Sequence, residues 1–145
     1  MKRPPLTLAP FEARCREKGL AFTIQRRAVL EDLAPRTDHP TADQVYETVT
    51  PKVPGLSRTT VYRVLDTLAR SGVIREVGHL GAAMRYDPHT GRHHHLLCTD
   101  CGCVTDHEDD RLDGFKLPTG TGFEIEDYSV YFKGRCPSCR KKSPR

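Results

Sequence analysis

The sequence predicts an α+β chain in two parts: a helical N-terminal module that ends in a β-hairpin, then a small C-terminal α/β module. Three observations predict it. Helix caps recur through the first 70 residues and end at Ser71-Gly72. Two short strand-like runs follow that stop. Two Cys-x-x-Cys pairs, Cys98/Cys101 and Cys136/Cys139, then bracket 34 residues (102–135), a spacing that leaves room for a small sheet and a helix.

In order, residues 10–19 read as a short charged helix ending at Gly19. Thr23 is an N-cap for a helix to about Ala34, with Val29, Leu30 and Leu33 inward and Pro35 beyond it. Thr41-Ala-Asp-Gln44 is a capping box. Ala42, Val45, Tyr46 and Val49 then follow at i, i+3, i+4 and i+7, and Pro51 and Pro54 close the segment. Ser57 caps a helix from Arg58 to about Arg70, buried through Val61, Val64, Leu65 and Leu68. Arg58, Thr59, Tyr62 and Arg63 lie away from that stripe, near its N-terminal end. Strands are expected at 73–77 and 83–87, joined by a turn at Gly78 and Gly81. Helices followed by such a hairpin make a winged helix-turn-helix. In that fold the second helix of the turn motif places its N-terminal side chains against base edges in the major groove of duplex DNA.

Residues 88–92 read as a hinge, which divides the chain into a winged-helix domain (1–87) and a small C-terminal α/β domain (93–145). In the second part a strand at 93–97 reverses at the Cys98–Cys101 turn and returns over 104–108. A short helix is expected at about 109–116. Pro118 and the glycines around it break the chain, and a strand over 123–133 delivers the second Cys pair. The tail from Arg140 is basic and expected to fray.

Bulk properties agree with this division. The net charge of +4 lies wholly in residues 1–90, which hold 14 basic and 10 acidic side chains against nine of each in 91–145. A basic module beside a neutral one implies an anionic partner for the first. No segment has signal-peptide character or membrane-spanning length, so a cytoplasmic protein is expected, in a compartment where paired cysteines bind metal more often than they form disulfides.

Cys98, Cys101, Cys136 and Cys139 supply four thiolates for a closed tetrahedral zinc site. The competing reading, two redox dithiols, lacks a thioredoxin-like βαβ context. On a strand, His93 and His95 share one face and His94 takes the other, and Asp106 on the returning strand is in position to meet the pair. Two imidazoles and a carboxylate suit a first-row divalent metal. Cys103 reads as a buried or spare thiol beside a completed pair, and Cys15 as an inert helix cysteine. His79, His89 and His107 read as solvated.

Taken in order, Thr23–Arg26 (Thr-Ile-Gln-Arg), His39–Asp43 (His-Pro-Thr-Ala-Asp), Ser57–Arg63 (Ser-Arg-Thr-Thr-Val-Tyr-Arg), Arg85-Tyr-Asp87, His93–His95, Cys98–Gly102 and Cys136–Cys139 make the chain resemble the ferric uptake regulator family over almost its whole length. The resemblance implies a homodimeric repressor on a palindromic operator, with no membrane association, and makes residues 93–145 its metal-binding dimerisation domain. It implies structural zinc on the four cysteines and a regulatory Fe(II) or Mn(II) between the domains on His39, Asp87, His93, His95 and Asp106. Arg58, Thr59, Tyr62 and Arg63 are the expected DNA contacts. Asp106, where iron sensors of the family carry Glu, points to the peroxide-sensing branch, in which Fe(II) turns peroxide on its own histidine ligands; here those are His39 and His93. The runner-up is an iron- or manganese-responsive repressor of metal uptake. Arg92, His94 and Tyr128 depart from the pattern of an additional family site, so none is expected. The segment between Asp106 and Cys136 is short for the family, which predicts a trimmed helix. A zinc hydrolase leaves the winged helix unexplained; a zinc-stabilised protein-interaction module is the third reading, and metal-dependent binding to a palindromic duplex separates the regulator from both. A regulator rather than an enzyme is therefore expected.

Overall fold

The computed structural model describes residues 3–78 and 82–143, and the chain folds into two compact units. One unit runs from Pro4 to Thr90. The other holds Arg3 and the chain from Gly91 onward.

In the first unit α1 (Ala9–Glu17), α2 (Ile24–Leu33), α3 (Ala42–Val49) and α4 (Arg58–Arg70) precede a two-stranded antiparallel wing, β1 (Arg75–Val77) and β2 (Arg85–Asp87). The caps form as the sequence dictates. The side chains of Thr23, Thr41 and Ser57 accept from the backbone N–H groups of Arg26, Gln44 and Thr60. At Thr41 the box is complete, because the Gln44 side chain accepts from the Thr41 N–H at 2.9 Å. Each cap satisfies a helix-end donor that has no partner within the helix. Leu30, Leu33, Val45, Val49, Val61, Leu65 and Leu68, all fully buried, form one core with Phe11 and Cys15. Gly72, at φ 74°, turns the chain out of α4 toward the wing. The expected turn glycine Gly81 and the solvated His79 lie outside the described residues.

In the second unit β3 (His94–Cys98) is the central strand of a three-stranded sheet. It pairs antiparallel with β4 (Val104–His107) and parallel with β5 (Tyr131–Gly134). Three expectations are corrected here. The helix expected at 109–116 is a single turn, α5 (Asp110–Asp113), capped by the Asp109 side chain and ended at Gly114. The strand expected from 123 forms a ladder only from Tyr131, because β3, its partner, is itself five residues long. Tyr128 and Val130 keep the alternation that suggested a longer strand, but of the two only Val130 makes a backbone hydrogen bond to β3, accepting from His95 N–H. Of the tail expected to fray from Arg140, Arg140, Lys141 and Lys142 are instead helical, in α6 (Pro137–Lys142). Cys136 is its N-cap, Pro137 occupies the first turn, and Arg140, Lys141 and Lys142 lie in the last turn, where cations suit the helix dipole. No described helix is long and apolar enough to cross a membrane.

Candidate metal centres

The β3–β4 register builds the first centre. His95 faces Asp106 across the ladder, and His93, two residues earlier, shares its face. His93 Nε2 lies 3.3 Å and His95 Nε2 3.7 Å from Asp106 Oδ1, and the two imidazole centroids are 4.7 Å apart. His93 Nδ1 is 2.7 Å from the Gly91 carbonyl, which can only accept, so Nδ1 carries the hydrogen. In the neutral imidazole Nε2 then presents a lone pair toward a carboxylate oxygen. A divalent metal between two acceptors so placed would bind both, and the second imidazole fits the same ion. His94, on the opposite face, goes elsewhere: Nε2 lies 3.1 Å from Asp113 Oδ1 and its ring stacks on Tyr128.

A second pair of donors forms within the winged-helix unit. The loop before α3 is bound to β2 by Tyr86 N–H donating to the Pro40 carbonyl and by Arg85 donating to the His39 carbonyl, each at 2.9 Å. His39 Nε2 thereby comes within 3.3 Å of Asp87 Oδ2. Both side chains are buried. His39 is the one described non-glycine residue with positive φ, at 50°. His is among the residues that tolerate this region, and strain of this kind concentrates at functional sites. His89, expected to be solvated, is instead buried. Its N–H donates to Asp87 Oδ1 at 2.8 Å and its ring lies against the same carboxylate, so it orients Asp87.

The cysteines make the third cluster. The sulfurs of Cys98, Cys101, Cys103 and Cys136 all lie within 4.8 Å of one another. Cys101 Sγ and Cys136 Sγ are 3.9 Å apart, matching the roughly 3.8 Å edge of a tetrahedron with zinc–sulfur bonds of about 2.3 Å. The Cys139 thiol joins through hydrogen bonds with Cys136, Cys101 and Cys98, which push its pKa up to about 12. Backbone N–H groups of Cys101 and Cys136 draw Cys98 down to about 6, a thiolate ready for a metal. Burial and the thiols of Cys101 and Cys136 push Cys103 up to about 12. Cys103, expected to be a buried or spare thiol, stands within this cluster of sulfurs. Antiparallel register carries the missed signal. Leu97 pairs with Val104, so the next pair is Cys98 with Cys103. The ion pair between Arg135 and Asp100, with Arg135 also donating to the Cys139 carbonyl at 3.1 Å, ties the two cysteine loops together.

At the positions of the additional family site, Arg92 lies 4.8 Å over the Tyr128 ring and 3.3 Å from Asp127. The positive charge of this half-exposed guanidinium disfavours a second cation beside it.

On α4, Arg58, Thr59, Tyr62 and Arg63 are all exposed. Two of them share a partner that sequence reasoning missed. Asp43, on α3, accepts from Tyr62 Oη at 3.1 Å and pairs with Arg58, whose guanidinium also lies 4.5 Å over the Tyr46 ring. The Asp43 hydrogen bond raises the Tyr62 pKa, keeping the phenol protonated as a donor.

With this geometry established, comparison with known proteins is informative. The sequence profile of the Ferric uptake regulator family matches residues 17–133. The Peroxide operon regulator of Bacillus subtilis (strain 168) is 35% identical over 129 residues, covering 88% of this chain and 89% of the relative. A PerR structure from Streptococcus pyogenes, described as the structural basis for peroxide sensing and gene regulation, is 28% identical at TM-score 0.53, over 95% of this chain and 96% of that one. The Helicobacter pylori ferric uptake regulator superposes at TM-score 0.75 over 99% of both chains. At 20% identity it speaks to fold alone.

Proposed function

From the premise that this chain belongs to the ferric uptake regulator family, we propose that it is a homodimeric, metal-dependent DNA-binding repressor that senses peroxide. It acts in the cytoplasm on a palindromic operator and carries out no enzymatic turnover. One observation carries the sensing claim: the carboxylate that faces both His93 and His95 is an aspartate, Asp106. The 35% identity to a peroxide operon regulator agrees with it.

The three donors on the β3–β4 ladder alone would leave a first-row metal several open positions, and the two in the winged-helix unit can fill them. His39, Asp87, His93, His95 and Asp106 together offer three nitrogens and two carboxylate oxygens, the set expected of Fe(II) or Mn(II). A metal that needs ligands from both units couples its binding energy to one arrangement of the DNA-binding helices. Fe(II), when bound, supplies the reduction of peroxide that Mn(II) performs poorly. His93 and His39 present the imidazoles to be oxidised: one ring C–H gains an oxygen while peroxide leaves as water. His89 and the Gly91 carbonyl hold Asp87 and His93 in position. Cys98, Cys101 and Cys136, with a fourth thiolate from Cys139, hold structural zinc.

Arg58, Thr59, Tyr62 and Arg63 form the DNA-reading surface, with phosphate and base contacts in the major groove. Leu96 and Phe132, large apolar side chains left exposed on the C-terminal sheet, support a homodimer through that unit.

The test is operator binding by the Fe(II) and Mn(II) forms before and after micromolar peroxide, with mass spectrometry of each. The Fe(II) form is expected to release DNA and gain one oxygen on a peptide containing His39 or His93; the Mn(II) form does neither. Asp106→Glu blunts the Fe(II) response. An Fe(II) form that stays unoxidised and bound to DNA would replace the peroxide reading with the iron- or manganese-responsive one.

A further inference from the structure

A tetrahedral zinc takes four thiolates, and this cluster holds five thiols. The fifth is there because of register. Cys98 N–H donates to the Cys103 carbonyl at 2.9 Å, which extends the β3–β4 ladder by one pair beyond Leu97 and Val104. Directly opposed residues of an antiparallel pair put their Cβ atoms on one face about 4.5–5.5 Å apart. Cys98 points at the cluster, so Cys103 does too. Gly102, at φ 73°, makes the sharp return possible, and its N–H donates to the Cys98 carbonyl at 2.9 Å. Cys139 arrives differently, from the first turn of α6, where its N–H donates to Cys136 Sγ at 3.4 Å. That bond holds Cys139 beside Cys136, at the edge of the same cluster. Yet Cys103, not Cys139, completes the set whose sulfurs are all within 4.8 Å of one another with Cys98, Cys101 and Cys136.

We propose that Cys103 is a zinc ligand of this chain: Cys98, Cys101 and Cys136 hold the ion constantly, and Cys103 and Cys139 exchange at the fourth position. In the exchange one sulfur–zinc bond forms as the other breaks. The entering thiol gives up its proton and the departing thiolate takes one up, so charge at the centre is unchanged and no oxidant or reductant is consumed. The consequence is a zinc centre that always leaves one thiol unligated beside the metal, and that tolerates loss of either exchanging cysteine.

This inference rests on reading the cluster as a zinc site, and one experiment separates the two. The zinc-loaded full chain is treated briefly with iodoacetamide under native conditions and the labelled cysteines are identified by peptide mass spectrometry. Cys98, Cys101 and Cys136 are expected to be protected, with about one label per chain divided between Cys103 and Cys139. Label on Cys103 alone, with Cys139 protected, overturns the exchange. Labelling of Cys98, Cys101 and Cys136 as fast as in the zinc-free protein would instead overturn the zinc reading itself. Zinc content gives the second arm. Cys139→Ser and Cys103→Ser each retain one zinc per chain, whereas Cys103→Ser/Cys139→Ser and Cys136→Ser retain none. Zinc lost from Cys139→Ser alone, or kept by the double variant, overturns the proposal. The labelling arm uses the unaltered protein and does not depend on how the variants fold.

Discussion

His39 carries two physical burdens that substitution can separate. It supplies an imidazole beside Asp87, and it holds a left-handed backbone that most side chains resist. Alanine at that position keeps the backbone demand, which costs a non-glycine residue about 1–2 kcal/mol, and deletes the ligand. Glycine deletes the ligand and removes the demand. Both variants are expected to keep zinc and the dimer and to lose Mn(II)-stimulated operator binding. Thermal unfolding separates them, His39→Gly melting above His39→Ala. A His39→Gly protein whose Mn(II) midpoint for DNA binding is unchanged would remove His39 from the regulatory site. At this scale the sequence was informative wherever chemistry repeats at a fixed spacing: alternate histidines on a strand, or paired cysteines on a turn. It was silent on Cys103 because a Cys-x-x-Cys template stops counting at its second sulfur. It was silent on His89 because a lone histidine after a proline carries no sign of the carboxylate it will orient.

At the scale of elements, α2, α3 and α4 begin where Thr23, Thr41 and Ser57 place them, because a cap is a local hydrogen bond that needs no tertiary partner. β5 was less legible, since ladder length is set by the partner strand rather than by its own alternation. The pairing of Asp43 with Arg58 and Tyr62 was not legible at all: it joins residues 15 and 19 positions apart on two helices. That pairing leads to a prediction about α4. The ion pair is half-exposed at both ends, so its loss costs the fold about 0–1 kcal/mol. Its effect on DNA is larger, because Asp43 neutralises Arg58 and engages the Tyr62 hydroxyl. Asp43→Asn is expected to melt within a few degrees of the parent. It should bind non-specific duplex more tightly, with a salt dependence steeper by about one counterion. Tyr62→Ala should weaken operator binding while zinc content and dimer mass hold. Fluorescence anisotropy across a salt series measures both. An unchanged salt slope in Asp43→Asn would mean that Arg58 does not reach phosphate.

Across the whole molecule the apolar core is unevenly shared. Every residue of the main buried cluster belongs to the winged-helix unit. In the C-terminal unit the described buried apolar residues are Leu97, Cys98 and Val104, and its other buried side chains include three adjacent histidines. So small an apolar core puts this unit in the size range where a structural metal is commonly needed to hold a fold. Zinc bound by the thiolates would supply such a staple, because its binding energy is folding energy. The two units should therefore fail separately. Cys136→Ser, or a strong chelator, is expected to abolish the C-terminal unit and the dimer with it. The winged-helix unit keeps its own core and should still melt cooperatively as a helical monomer. Circular dichroism would then retain most of the helical signal of α1 to α4, while analytical ultracentrifugation reports loss of the dimer. Mild chelation that removes only the regulatory metal should leave both readings unchanged and abolish operator binding. A Cys136→Ser protein that remains dimeric with an ordered C-terminal sheet would show that some force other than the thiolate centre holds that unit together.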